Sequence, residues 1–157
     1  MSDAPTVRLL DARESRLDEA GLRARARAIT SRSGAPYVSR SYRFPFALVA
    51  WHGAAVGVDI ERVDPCGEAF ADLICTASER AQLAVAEHVD EYLTSLWCSK
   101  EALTKALGDP LSYDPRRLDS PMSWPDARSG PWRAMRLLPV ADHVGWLCWR
   151  ARSGHDC

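Results

Sequence analysis

The sequence predicts an α+β fold in which antiparallel strands pack on one long helix. Strand-like and helix-like segments occur in mixed order, without the regular alternation typical of parallel sheets. Residues 90–108 form a long amphipathic pattern that ends at a glycine and is followed by a proline. Two strand-like runs close the chain and are joined by a short connection. We therefore expect a single domain over residues 1–157.

The composition narrows the class of protein. The chain has 157 residues, 46% of them hydrophobic, which suffices for one packed core. The formal net charge of −1 is not typical of a nucleic-acid-binding domain, which is usually strongly basic. No apolar run approaches the roughly 20 residues that span a bilayer, so we expect no membrane insertion. The five cysteines form no CxxC pair, which favours a cytoplasmic protein with reduced thiols.

The elements follow from local patterns. Short runs rich in β-branched or aromatic residues predict strands, and the pair around "GAA" predicts a hairpin. A Thr-x-x-Glu pattern at Thr76 and Glu79 predicts the capped start of a helix. Ser15 and Asp18 are both candidate caps of the first helix. The predicted elements are a strand at 6–11, a helix at 15–30, a loop at 31–45, a hairpin of 46–52 and 55–61, two short helices within 63–87, a helix at 90–108, a loop at 110–131, and strands at 132–140 and 144–152.

The segment "GVDIE" places two acidic side chains on one face of a strand. Side chains alternate along a strand, so Asp59 and Glu61 share a face while Val58 and Ile60 share the other. Two such carboxylates are half of a site for Mg²⁺, which binds one or two protein carboxylates together with water and phosphate oxygens. The alternative interpretation is the solvated face of an ordinary strand.

The segment "WCSKEALTKALGD" contains the only two lysines of the chain, Lys100 and Lys105, among 20 basic residues. At about 100° per residue, one stripe of this helix is apolar and must face the core. Its members are Leu96, Leu103, Ala106 and Leu107. Glu101 and Lys105 lie together on another side. They are either functional or a solvated pair one turn apart, which would stabilise the helix by roughly 0.2–0.5 kcal/mol.

Together the two segments resemble the signatures of the 4'-phosphopantetheinyl transferase superfamily. One signature is Gly-(Ile/Val)-Asp-(Ile/Val)-Glu, matched by residues 57–61. The other is Trp-x-x-Lys-Glu-(Ala/Ser)-x-x-Lys-x-x-Gly, matched by residues 97–108. The resemblance covers residues 40–150 and is closest to the surfactin-synthetase-activating type. It implies two similar α+β halves with the site between them: a reduced first part at 1–45 and a motif-bearing half at 46–152.

The resemblance also implies an activity and a metal site. Such enzymes transfer the 4'-phosphopantetheine group of coenzyme A to a serine of an apo carrier protein and release adenosine 3',5'-bisphosphate. Asp59, Glu61 and Glu101 would then hold Mg²⁺, or Mn²⁺, against the diphosphate of coenzyme A. Attack on a charged diphosphate requires neutralisation of its oxygens, and carboxylate ligands suit these hard cations better than zinc.

Four further residues receive roles from the resemblance. Lys105 would lie near the phosphates or the attacking serine, where an ammonium can act as a compact charge. Lys100 would contact coenzyme A or help to orient the helix; a solvated lysine is the alternative. Glu79 matches a glutamate regarded in the larger enzymes as the base for the serine proton, although a capping box explains it equally well. Trp97 would pack beside the site.

The chain departs from the family at a Ser-His-Ser/Thr motif whose histidine and serine bind phosphate. Without gaps, Ser41-Tyr42-Arg43 stands at that motif; with a two-residue insertion, Ser39-Arg40-Ser41 does. Both registers place a guanidinium beside a serine, so Arg40, Ser41 and Arg43 are candidate ligands of coenzyme A.

The second departure is the short first part, because only 58 residues precede Asp59. Three interpretations stay open. The first half is compressed, a second chain completes the site in a homo-oligomer, or the protein is a degenerate module that binds coenzyme A and Mg²⁺ without transfer.

Overall fold

The structure, a computed structural model, describes residues 3–108 and 113–152. Within them lie four α-helices, seven strands and three short 3-10 turns before the last strands. In chain order the elements are β1 (Thr6–Asp11), α1 (Glu19–Arg32), β2 (Tyr37–Arg43), β3 (Phe46–His52), β4 (Val56–Arg62), α2 (Glu68–Ile74), α3 (Ala77–Leu83), α4 (Val89–Leu107), β5 (Arg128–Ser129), β6 (Trp132–Leu137) and β7 (His143–Arg150). The predicted α+β class is confirmed. None of the helices in these two ranges is long and apolar enough to cross a membrane.

The strands form two antiparallel sheets with the same internal order. The first sheet runs β1-β3-β2 and the second runs β4-β7-β6-β5. In each half a strand is followed by helix and then by further strands, two in the first half and three in the second. The last strand of each half lies between the first strand and the strand that precedes it in the chain. The chain passes from one sheet to the other at residues 53–55, so β3 belongs with the first sheet although it begins the predicted motif-bearing half at residue 46.

The predicted hairpin of 46–52 with 55–61 is wrong. Both strands form, but β3 pairs with β1 on one side and β2 on the other, which leaves it no edge for β4. The predicted loop at 31–45 is also wrong in part, because residues 37–43 are strand β2. Strand β2 lacks the apolar alternation that predicts a strand, because its inward-facing positions are serines whose hydroxyl groups contact β4.

The helix ends agree with the capping patterns. Asp18, not Ser15, caps α1 by accepting a hydrogen bond from the Gly21 N–H at 2.7 Å. Thr76 and Glu79 form the predicted capping box at the start of α3. Helix α4 ends at Gly108, whose φ of 85° lies in the left-handed region that glycine favours.

Helix α4 lies unusually close to β4. A Cβ on Gly57 would overlap the carbonyl oxygen of Ala102 and lie 2.5 Å from the nitrogen of Ala106. Only glycine permits this approach of helix and strand backbones. The contact face of the last helical turn therefore runs through Ala102 and Ala106. Leu107, predicted to be in the core, is 49% exposed because it points away from that face.

Candidate functional site

The close packing of α4 on β4 brings together Asp59 and Lys105. The Nζ atom of Lys105 donates hydrogen bonds to Asp59 Oδ1 at 2.8 Å and to the Val58 carbonyl oxygen at 3.1 Å. The side chain of Asp59 is 5% exposed and that of Lys105 is 24% exposed. Asp59 is therefore not on a solvated strand face, whereas the ammonium group beside it remains reachable.

The two oxygens of Asp59 differ in their surroundings. Oδ1 also accepts a hydrogen bond from Ser41 Oγ at 2.8 Å. Oδ2 is buried and has no hydrogen-bond partner among the residues that the structure describes. An unpaired buried carboxylate oxygen is unfavourable unless a ligand satisfies it. A hard cation is the ligand that a carboxylate oxygen suits best.

Glu101 is the second carboxylate of this centre. Its Oε1 accepts a hydrogen bond from the Tyr113 hydroxyl at 2.6 Å. Burial raises the pKa of Glu101, the Tyr113 bond acts in the opposite direction, and the negative charge of Asp59 adds to the rise. The charge of Lys105 lowers the pKa of Glu101 again, and a cation bound to the Glu101 carboxylate would act in the same direction.

The side chain of Glu61 interacts with Arg43 and not with Asp59 or Glu101. Its carboxylate forms an ion pair with the Arg43 guanidinium, and their side chains are 16% and 48% exposed. Over residues 3–108 and 113–152, no three histidine, cysteine, aspartate or glutamate side chains converge on a point that could hold a metal ion. The predicted ligands are thus not gathered as a triad: Asp59 and Glu101 interact, while Glu61 pairs with Arg43.

The alternation of β2 sorts the candidate ligands of coenzyme A onto two faces. Ser41 and Arg43 face β4, where they contact Asp59 and Glu61. Arg40 faces α1 and donates to Thr30 Oγ1 at 2.6 Å. Tyr42 also faces α1, with the Arg23 guanidinium 4.3 Å from its ring centre. Both residues that could replace the histidine of the Ser-His-Ser/Thr motif therefore point away from Asp59.

A comparison of the sequence with protein-family models identifies the family of this chain. The model of the 4'-phosphopantetheinyl transferase superfamily matches residues 55–147, which include β4, α4 and the strands that support them. The chain belongs to the 4'-phosphopantetheinyl transferase superfamily. Membership supports phosphopantetheinyl transfer as the general class of activity.

Solved structures share the fold of this superfamily member. The chain is similar to holo-acyl-carrier-protein synthase of Thermotoga maritima, with a TM-score of 0.50 and 21% sequence identity. The alignment covers 65% of this chain and 66% of that one. At this identity the likeness concerns the fold. No protein of curated function matches the chain in sequence.

In this transferase-superfamily chain, Lys100 and Glu79 lie in the interior. Lys100 is fully buried, so the solvated interpretation of it is wrong. Its Nζ donates to Glu79 Oε2 at 2.7 Å and to the carbonyl oxygens of Ile74 and Pro115 at 2.6 and 2.7 Å. Glu79 also accepts from the N–H groups of Thr76 at 2.8 Å and Ser120 at 3.0 Å. These contacts join α2, α3, α4 and the following loop, and they do not include Asp59 or Lys105.

Tyr113 is a site residue that the sequence analysis missed. It lies in the segment 110–131, which was predicted to be a connecting loop, and its hydroxyl reaches Glu101. Burial raises the pKa of Tyr113, and the Glu101 hydrogen bond adds to the rise, so the phenol stays protonated as a donor. The sequence offered only a weak signal, namely an aromatic hydroxyl a few residues beyond the end of the motif helix.

A cleft of about 210 Å³ opens beside the Arg43–Glu61 pair. One wall carries Trp97 and Phe70, whose rings pack edge to face with centroids 6.0 Å apart. The prediction that Trp97 packs beside the site agrees with this position. The arrangement offers carboxylates for a cation, an ammonium and a guanidinium for phosphate, and an apolar wall for an uncharged chain.

Proposed function

We propose that the protein transfers the 4'-phosphopantetheine group of coenzyme A to a serine of an apo carrier protein and releases adenosine 3',5'-bisphosphate. The observation that carries this proposal is the buried, unpartnered Oδ2 of Asp59, whose other oxygen binds Lys105, in a member of the superfamily. The protein would act in cytoplasmic fatty-acid, polyketide or nonribosomal-peptide synthesis.

Asp59 and Glu101 would hold Mg²⁺, and Mn²⁺ could take its place. The bound cation would neutralise the diphosphate oxygens and the leaving group. Glu61 lies two residues beyond Asp59 on β4 and could join as a third ligand if its side chain turned away from Arg43. Arg43 would then be left with its guanidinium facing the phosphates, which it can bind through two parallel hydrogen bonds.

Lys105 would place its ammonium against the phosphoryl oxygens. It is held by Asp59 and the Val58 carbonyl oxygen, and its side chain is 24% exposed. The uncharged pantetheine arm would run along the cleft past Trp97. Arg40 could contact coenzyme A only on the α1 face of β2, away from the metal.

For Glu79 and Lys100 we propose a structural role in place of those that the resemblance implied. The Glu79 side chain is 5% exposed and that of Lys100 is fully buried, and each group is surrounded by hydrogen-bond partners. A base for the serine proton must reach that proton directly or through one water. An enclosed, ion-paired carboxylate does not meet this requirement.

The proposed metal site needs no second copy of the chain, since β2, β4 and α4 all belong to one chain. A homo-oligomer would serve instead to complete the contacts to the adenosine part of coenzyme A.

A second candidate function is binding of coenzyme A and Mg²⁺ without transfer. The orientation of β2 favours it, because neither Arg40 nor Tyr42 takes the position of the phosphate-binding histidine in the site. The intact metal and lysine positions favour transfer.

Intact-mass spectrometry of an apo carrier protein separates the two. We expect a mass gain of one phosphopantetheine group with coenzyme A and Mg²⁺, and none with EDTA or with Asp59→Asn. Binding of coenzyme A in calorimetry without any mass gain, across several unrelated carriers, would establish the binding module instead.

A further inference from the structure

Strands β2 and β4 lie side by side but belong to different sheets, and serine side chains connect them. Ser39 Oγ accepts a hydrogen bond from the Val58 N–H at 3.0 Å, and Ser41 Oγ accepts one from the Ile60 N–H at 3.2 Å. The two serines are 9% and 6% exposed. They therefore make equivalent contacts with the backbone of β4.

Of these two serines, the described structure shows only Ser41 in contact with Asp59. A serine hydroxyl has one proton to donate and lone pairs to accept. The Ile60 N–H occupies the acceptor side of Ser41 Oγ, and the proton is donated to Asp59 Oδ1 at 2.8 Å. The backbone of β4 thereby sets the direction in which the hydroxyl group donates.

Asp59 is thus fixed through one oxygen only. Ser41 and Lys105 both bind Oδ1, each at 2.8 Å, while Oδ2 carries no partner in the described residues. Two donors on one oxygen prevent rotation of the carboxylate and keep Oδ2 directed away from them. This is the arrangement expected of a group that supports a metal ligand from behind.

We propose that Ser41 is a positioning residue of the metal site: its hydroxyl group, oriented by the Ile60 N–H, holds Asp59 so that Oδ2 is presented to the cation. The inference rests on the proposed function. It replaces phosphate binding as the role of Ser41, and it makes a strand outside the family-matched residues 55–147 part of the metal site.

Ser39 provides a matched control. Ser39→Ala and Ser41→Ala each remove one hydroxyl group that accepts a β4 backbone N–H, so both should lower thermal stability, and Ser41→Ala should lower it more because it loses a second hydrogen bond. Only Ser41→Ala also removes the donor to Asp59. Loss of a group that supports a metal ligand typically weakens metal affinity about 10–100-fold.

The experiment measures the affinity of the full chain for Mn²⁺ in the absence of coenzyme A. The concentration of free Mn²⁺ is determined by electron paramagnetic resonance. We expect Ser41→Ala to weaken Mn²⁺ binding at least about tenfold and Ser39→Ala to change it less than about twofold. In the transfer assay, Ser41→Ala should raise the half-saturating Mg²⁺ concentration, and excess Mg²⁺ should restore turnover.

The outcomes separate this inference from the proposed function. Equal Mn²⁺ affinities of the two variants, in a wild-type protein that binds Mn²⁺, would overturn the role of Ser41 alone. A wild-type protein that binds no Mn²⁺ at millimolar concentration would overturn the metal site and the inference with it. A loss of turnover in Ser41→Ala that excess Mg²⁺ does not restore would contradict positioning through the metal.

Discussion

Lys100 and Glu79 form an ion pair enclosed in the protein, with Nζ and Oε2 2.7 Å apart and side-chain exposures of 0% and 5%. Breaking a buried pair from one side leaves an uncompensated charge, which typically destabilises a protein by about 3–5 kcal/mol. We expect Lys100→Met to lower the free energy of unfolding by about this amount, measured in urea. Arg80→Met is the control, because Arg80 pairs with Glu68 and Asp72 at the surface, so its urea midpoint should stay close to that of the wild type. Equal urea midpoints for Lys100→Met and the wild type would contradict the structural role.

Asp59→Asn keeps the shape of the side chain but removes the charge that a cation needs. We expect phosphopantetheinyl transfer to fall at least about hundredfold, because stabilisation of developing charge by a metal is worth several kcal/mol. Asp72→Asn is the control, since Asp72 lies on α2, outside the cleft, with a side chain 64% exposed. Initial rates over a range of Mg²⁺ concentrations measure both. Normal turnover of Asp59→Asn at millimolar Mg²⁺ would show that the metal ligand is wrongly assigned.

Lys105→Arg tests whether the site requires an ammonium group. The Nζ atom sits between Asp59 Oδ1 and the Val58 carbonyl oxygen, where a planar guanidinium does not fit without displacement. We expect turnover to fall at least about tenfold while the charge is unchanged. Arg13→Lys, which changes an exposed residue outside the cleft, should leave the rate unaltered. A silent Lys105→Arg would mean that positive charge alone suffices.

Gly57→Ala tests the close approach of β4 and α4. The added Cβ meets backbone atoms of Ala102 and Ala106, which cannot move aside as a flexible side chain would. We expect a loss of stability of about 3 kcal/mol or more, at the upper end of overpacking. A Cβ on Gly67 meets no atom within 4 Å, so Gly67→Ala should change stability by less than about 1 kcal/mol. Similar melting temperatures for the two variants would refute the packing argument.

His52 predicts a dependence of stability on pH. Burial lowers the pKa of the imidazole below its ordinary value of 6.5; the charge of Arg152 adds to this, and that of Asp3 opposes it. The unfolded chain then binds the proton more readily than the folded one, so stability is complete above pH 6.5 and falls as the pH drops through 6.5 towards the folded pKa. Urea unfolding between pH 5 and pH 8 should show this fall in the wild type and a smaller one in His52→Phe. Identical slopes would remove His52 as the cause.

The parts of the fold that local patterns encode were predictable. Thr76 and Glu79 mark the start of α3, and Gly108 marks the end of α4. Asp59 and Lys105, which the structure brings together, were singled out by the resemblance of the two signatures to the superfamily. Features that depend on distant segments were not. Strand β2 carries Ser39 and Ser41 where a strand usually carries apolar residues, because their hydroxyl groups contact another strand's backbone.

Burial was hardest to predict for the charged residues. Lys100 looks like any helical lysine in the sequence, and its enclosure depends on carbonyl groups from Ile74 and Pro115, which lie on either side of α4 in the chain. Periodicity places a residue on a face of a helix but does not reveal which segment covers that face.

The serines of β2 also occupy backbone N–H groups at the edge of β4 with which another strand could otherwise pair. Strand β4 has β7 on one side, and on the other its Val58 and Ile60 N–H groups are occupied by side chains of the first half. A chain shortened to the family-matched residues 55–147 would uncover these groups and leave β4 as an open edge strand, the kind of surface that recruits further strands. The first half thus covers an edge of the second sheet that would otherwise be open to further strands.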